Sequence, residues 1–93
     1  MPTEQGPPEP WDAPLADGPG WTRLAGTAGL SVEDLRPRVE RLSERERGTI
    51  KLRFGLDGGP ERSGAEVAEV LGVTPPRIKQ IEARAIYELG EPE

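Results

Sequence analysis

The sequence predicts an all-α fold: a small domain of three to four short helices ending in a helix-turn-helix, preceded by a disordered arm. Three observations carry this. From Ser31 onward, apolar residues recur at spacings of three and four, the period of a helix face. Ser-x-x-acid patterns open successive segments at Ser31, Ser43 and Ser63, as N-terminal caps do. Glycines or prolines then follow each apolar run, where helices stop. No strand and no internal repeat is expected.

The arm comes first. Residues 1–30 contain six prolines and five glycines. Such a stretch buries too little apolar surface to offset its ordering entropy. Trp11 and Trp21 both fall within it. They are either anchors for a partner-binding segment or side chains that dock loosely on the domain or stay solvated.

The domain is expected over residues 31–90. In "SVEDLRPRVERL", Val32, Leu35, Val39 and Leu42 lie at helical spacing and Ser31 pairs with Asp34 as a cap. Pro37 interrupts this segment, at a cost of about 3 kcal/mol for an interior proline. A kink there, or a start delayed to Arg36, is expected. In "SERERGTIKLRFG", Ser43 and Glu46 form a capping box, Ile50 and Phe54 share a face, and Leu52 points aside. Arg47 is expected to be exposed. Gly55 is the left-handed stop, and "LDGGPER" is a turn-rich loop.

Ser63 and Glu66 form the next capping box, opening "SGAEVAEVLG", which turns Val67, Val70 and Leu71 inward and ends at Gly72. Thr74 caps the last helix. Pro75 fits its first position, where the missing N–H was unpaired anyway. Ile78, Ile81, Ala85 and Leu89 line its inner face.

Composition removes several function classes. The chain has 93 residues, no cysteine and no histidine. Disulfides, thiolate metal sites, cysteine nucleophiles and the commonest general base are absent. No paired-carboxylate pattern stands out, so neither an enzyme nor a cofactor or metal site is expected. No apolar run approaches the roughly 20 residues that span a bilayer, and the acidic, proline-rich start is unlike a signal peptide. A soluble cytoplasmic protein, with no membrane or small-molecule partner, is the expectation. Net charge is −5, with −3 over residues 1–41, zero over 42–89 and −2 in the tail. A neutral helical region gives little electrostatic drive toward nucleic acid.

Residues 64–83 fit a helix-turn-helix. Ala68 is the small residue where the second helix crosses the first. Gly72 supplies the positive φ of the turn. Val67, Leu71, Val73, Ile78 and Ile81 plug the interface from both sides. An ordinary helical hairpin with a glycine stop is the plainer alternative.

With those residues in place, "LSERERGTIKLRFGLDGG" followed by "AEVAEVLGVTPPRIKQIEARAIYEL" resembles region four of bacterial RNA polymerase sigma factors of the housekeeping type. The likeness covers residues 35–89. The Arg53-to-Asp57 block, the gap to the next helix, the Val-Thr turn and "RIKQIEARA" align without a break. The resemblance implies a compact helical domain whose last helix enters the major groove at the promoter −35 element. It also implies that residues 35–56 hold the flap of the polymerase β subunit.

The same resemblance names candidate DNA-binding residues. Ser63 matches a hydroxyl residue that meets phosphate at a helix N-terminus. Arg53 matches an arginine that contacts the DNA backbone. Thr74 is the turn threonine. Arg77, Lys79 and Gln80 match polar positions of the recognition helix, where Gln can bond adenine and Arg or Lys can bond guanine or phosphate. Arg84 matches a basic position that faces DNA or an activator.

Three departures weaken the match at its reading head. Pro75 and Pro76 stand where the family carries base-reading residues; proline offers only apolar contact, for instance to a thymine methyl. Glu69 stands where a basic residue is common, and Gly64 and Ala65 replace larger residues. A transcription-initiation protein that binds −35-like DNA weakly and contacts the β flap is therefore expected. A polymerase- or regulator-binding adaptor that keeps the fold but touches no base is the rival.

Overall fold

The computed structural model describes residues 15–91. Five helices follow one another: α1 (Pro19–Ala28), α2 (Val32–Arg41), α3 (Glu44–Phe54), α4 (Gly64–Leu71) and α5 (Pro75–Gly90). No strand occurs among the described residues, and the all-α expectation holds. No helix among them is long and apolar enough to cross a membrane.

The first helix corrects the domain boundary and the helix count. Residues 19–28 were expected to belong to a disordered arm, yet they form α1, with Gly20, Trp21, Leu24 and Ala25 buried. Trp21 is only 2% exposed. Its indole N–H donates to the Ala16 carbonyl at 2.7 Å, and the Arg36 guanidinium lies 4.8 Å from its ring centroid. Ala16 is tied in turn to the end of α3, its N–H donating to Leu56 O at 2.7 Å. At Gly20 the helix runs so close to Phe54 that any Cβ would strike the Phe54 carbonyl. Composition misled here because it averages over a window. Pro19 sits at the start of the helix, where proline costs nothing, and the next turns contribute four inward residues. Trp11 lies outside the described residues.

In α2, Ser31 Oγ accepts from the Asp34 N–H at 3.1 Å, as expected. The helix begins at Val32 rather than near Arg36 and runs through Pro37. Pro37 is exposed, while Leu35 and Val39 on either side of it are fully buried. Their burial, about 1.5–3 kcal/mol each, offsets the lost backbone bond. At α3, Ser43 Oγ accepts from Glu46 N–H at 3.3 Å. The Glu46 carboxylate meets the Ser43 hydroxyl at 3.1 Å, so the cap is closed through the hydroxyl. Arg47 is half-buried, not exposed: its guanidinium donates to the carbonyls of Glu40 and Leu42 at 3.3 and 3.1 Å. It thereby serves the carbonyl groups that the end of α2 leaves unpaired.

Two apolar clusters result. The larger joins Trp21 and Leu24 of α1, Leu35 and Val39 of α2, Ile50 and Phe54 of α3, and Ala85 and Leu89 of α5. The smaller holds Leu52, Val67, Ala68, Ile78 and Ile81. Leu52, expected to point aside, is fully buried in this second cluster. Helix α3 thus lies between two cores and is apolar on both flanks, a pattern that a single-stripe helix reading does not anticipate.

The "RFGLD" block acquires a physical account. Gly55 adopts φ 67°, and a Cβ there would lie 2.5 Å from the Gly59 carbonyl oxygen. The turn therefore needs glycine twice over, for its left-handed backbone and for space. Asp57 Oδ1 accepts from the Gly59 N–H at 3.0 Å, which closes the loop that leads to α4.

Candidate nucleic-acid interface

The helix-turn-helix is α4, the turn at Gly72 and α5. Ser63 caps α4 with a complete capping box: its Oγ accepts from Glu66 N–H at 3.1 Å, and its own N–H donates to Glu66 Oε1 at 2.8 Å. That backbone bond, with the Ser63 hydroxyl, holds the Glu66 carboxyl below the usual carboxylate range. Ala68 is 1% exposed, and Gly72 turns at φ 73°. The Val73 N–H donates back to Ala68 O at 2.9 Å, which satisfies a carbonyl at the helix end. Thr74 then caps α5, accepting from Arg77 N–H at 3.4 Å.

Helix α5 buries Ile78, Ile81, Ala85 and Leu89, as expected. Its other faces carry the candidate residues. Thr74, Arg77, Lys79, Gln80 and Arg84 are all exposed. They do not form one patch. Arg77, Gln80 and Arg84 are spaced by three and four, so they stand on one stripe, and they line a groove of about 620 Å³ between α5 and the start of α3. Arg77 donates to Gln80 Oε1 at 3.3 Å. Arg84 donates to Glu88 at 2.9 Å. That bond, first among the causes, holds the Glu88 carboxyl below its usual range.

Across the groove stands Arg45, with Ser43 and Glu46. Arg45 is exposed. It was not singled out from the sequence, because it lies in another helix and only the packing of α3 on α5 brings it opposite Arg77 and Arg84. Its position after the Ser43 cap offered no distinguishing signal.

Lys79 faces the opposite flank, a hollow that it shares with Arg53, Gly64 and Glu82. Arg53 is engaged inside the protein. Its Nε donates to Glu82 at 2.9 Å and its Nη1 to the Arg62 carbonyl at 2.6 Å. One guanidinium therefore ties α3 to α5 and to the segment before α4, and this fork geometry explains why arginine suits the site. Its side chain remains 31% exposed. Ser63 is exposed, but the anion-attracting end of α4 is already occupied by the Glu66 carboxylate.

Pro75 and Pro76 form the exposed first turn of α5, and Glu69 is exposed on α4. Among the described residues no group of acidic side chains is arranged to hold a metal ion.

Comparison with known proteins agrees with this geometry. Residues 39–90 match the family model described as Sigma-70, region 4. The chain is 52% identical over 62 residues to the chloroplastic RNA polymerase sigma factor sigF of Arabidopsis thaliana, covering 67% of this chain and 11% of that protein. It is 48% identical over 63 residues to the RNA polymerase sigma factor SigA of a Bacillus species, covering 68% of this chain and 17% of that protein. The chain thus spans less than a fifth of the length of either relative. With more than half of its residues inside the match and a helix-turn-helix at its centre, the chain belongs to the sigma-70 region 4 family.

Proposed function

We propose that this domain binds −35-like promoter DNA through α5 and, by residues 35–56, the flap of the RNA polymerase β subunit in the cytoplasm. The observation that carries the DNA half is the exposed Arg77, Gln80 and Arg84 stripe, with Arg45 across the groove, in a chain of this family. Arginines at both walls suit the phosphates that flank a major groove, and Gln80 suits an adenine edge. Lys79 and the remaining exposed part of Arg53 serve the far flank, Thr74 and Ser63 the two helix tips. Nothing in this reading calls for catalysis.

Binding is weak and its specificity relaxed. The domain has little net positive charge to concentrate it on DNA, and Glu69 opposes a phosphate approaching α4. Gel shift on −35-like duplexes at low salt tests the proposal. Gln80→Ala is expected to cost about 1–3 kcal/mol and to relax preference at one step, while Arg84→Ala weakens all sequences alike and lowers the salt slope by about one. A folded chain that shifts no duplex at low salt rejects the DNA half.

A second reading is favoured by the tip of α5, where two prolines remove backbone donors, and by the tip of α4, where the Glu66 carboxylate takes the Ser63 N–H. On this reading the domain is an adaptor for polymerase or a regulator and touches no base. Capture of a β-flap fragment by the chain, with no retention of promoter DNA under the same conditions, separates it from the first.

A further inference from the structure

The first turn of α5 has an unusual inventory of donors. Pro75 and Pro76 have no N–H. The Arg77 N–H donates to Thr74 Oγ1 at 3.4 Å, and the Ile78 N–H to Thr74 O at 3.1 Å. From Pro75 to Ile78, therefore, no backbone N–H is left for a phosphate or a base. What the turn does present is hydrocarbon: both pyrrolidine rings are exposed, rigid, and fixed at the end of a helix anchored by Ile78 and Ile81.

We propose that Pro75 and Pro76 determine the DNA preference of this domain by selecting C5-methyl pyrimidines, thymine or 5-methylcytosine, at the base steps beneath the tip of α5. The inference rests on the reading that α5 enters the major groove. There the thymine methyl is the one apolar group that a base pair presents. A guanine at the same step presents two acceptors, N7 and O6. Covered by a proline ring, they lose water and gain no donor, which is unfavourable. An unmethylated cytosine offers no methyl group to bury. The roles then divide by chemistry. Arg45, Arg77 and Arg84 hold phosphate, Gln80 reads by hydrogen bonds, and the two prolines read by shape and apolar contact. Rigid rings suit this, because they lose no rotamer freedom when the contact forms.

The test uses the full chain and a short duplex carrying a −35-like element, followed by fluorescence anisotropy at low salt. Each thymine is replaced in turn by deoxyuridine, which removes only the methyl. Burial of one methyl group is expected to be lost, so binding weakens about two- to fourfold at one or two adjacent steps and at no other. Placing 5-methylcytosine for cytosine at those steps tightens binding by a similar factor. In the variant Pro75→Ser with Pro76→Ser, which replaces both rings by polar side chains and is shown folded by circular dichroism, the thymine and uracil duplexes bind equally. The proposal is overturned if the unaltered chain binds the duplex but does not distinguish uracil from thymine at any step, an outcome that leaves the DNA reading intact. It is equally overturned if the double variant keeps the preference. Failure to bind any duplex removes the DNA reading and this inference together.

Discussion

The cluster beneath α1 and the cluster inside the helix-turn-helix are built on the same two helices. Helix α3 sends Ile50 and Phe54 to the first and Leu52 to the second; α5 sends Ala85 and Leu89 to the first and Ile78 and Ile81 to the second. They differ in what closes them. The motif cluster is closed by α4, which follows α3 after a nine-residue connection, through local turns. The other is closed by α1, whose buried side chains meet α5 more than fifty residues along the chain. One core is therefore specified by a compact motif, the other by a long-range packing event that no short window of sequence reports. Because α3 and α5 are common to both, the two clusters are expected to unfold as one cooperative unit.

The sharpest way to break this comparison is Trp21→Ala. Were residues 1–30 only an arm, the substitution would be nearly silent. With Trp21 buried, it is expected to cost about 3–5 kcal/mol in urea unfolding, a large part of the stability of a domain this size. Leu52→Ala, in the motif cluster, is expected to cost about 2–5 kcal/mol. Both variants should lower the same single transition by far-UV circular dichroism, and in Leu52→Ala the Trp21 fluorescence should follow it. Two separated transitions after Leu52→Ala would mean that the clusters are independent.

Smaller changes sharpen the contrast. Ser63→Ala removes the cap of α4 and is expected to cost about 1 kcal/mol, with the larger cluster undisturbed. Arg36→Gln removes the cation over the Trp21 ring and the 2.7 Å contact with Asp17. Its cost is about 0.5–1 kcal/mol, lowered further by salt only through the exposed Asp17 contact. The faintest effect is one of pH. Glu66 has its folded pKa depressed by the Ser63 backbone bond, so its contribution is present above the ordinary glutamate value of about 4.3 and fades as pH falls through the folded value. Thermal melts below about pH 4 should show a shallower acid decline in Glu66→Gln than in the unaltered chain.

Much of the helix-turn-helix was legible in advance because its constraints are local. A capping box at Ser63 and Glu66, a small residue at Ala68, a left-handed glycine at Gly72 and a cap at Thr74 each state their requirement within four residues. The inner face of α5 followed from spacing alone. Other environments were not legible because they are assembled from distant segments. Arg47 looked like a surface residue until the end of α2 came within reach of its guanidinium. Arg53, expected to contact the DNA backbone, is largely engaged by Glu82 and the Arg62 carbonyl. Arg45 carried no signal of its own, whereas the opposite flanks of Arg77 and Lys79 follow from their spacing of two on a helix.

By itself, the sequence determined the all-α class, the helix caps and stops, the motif, and the absence of cysteine and histidine chemistry, since these depend on residue type and short-range spacing. Only the tertiary structure decided that Trp21 belongs to the core, that α3 lies between two apolar clusters, and that Arg45 joins Arg77 and Arg84 in one groove. Those outcomes depend on which distant faces exclude water together, and burial of that kind is a property of the assembled chain.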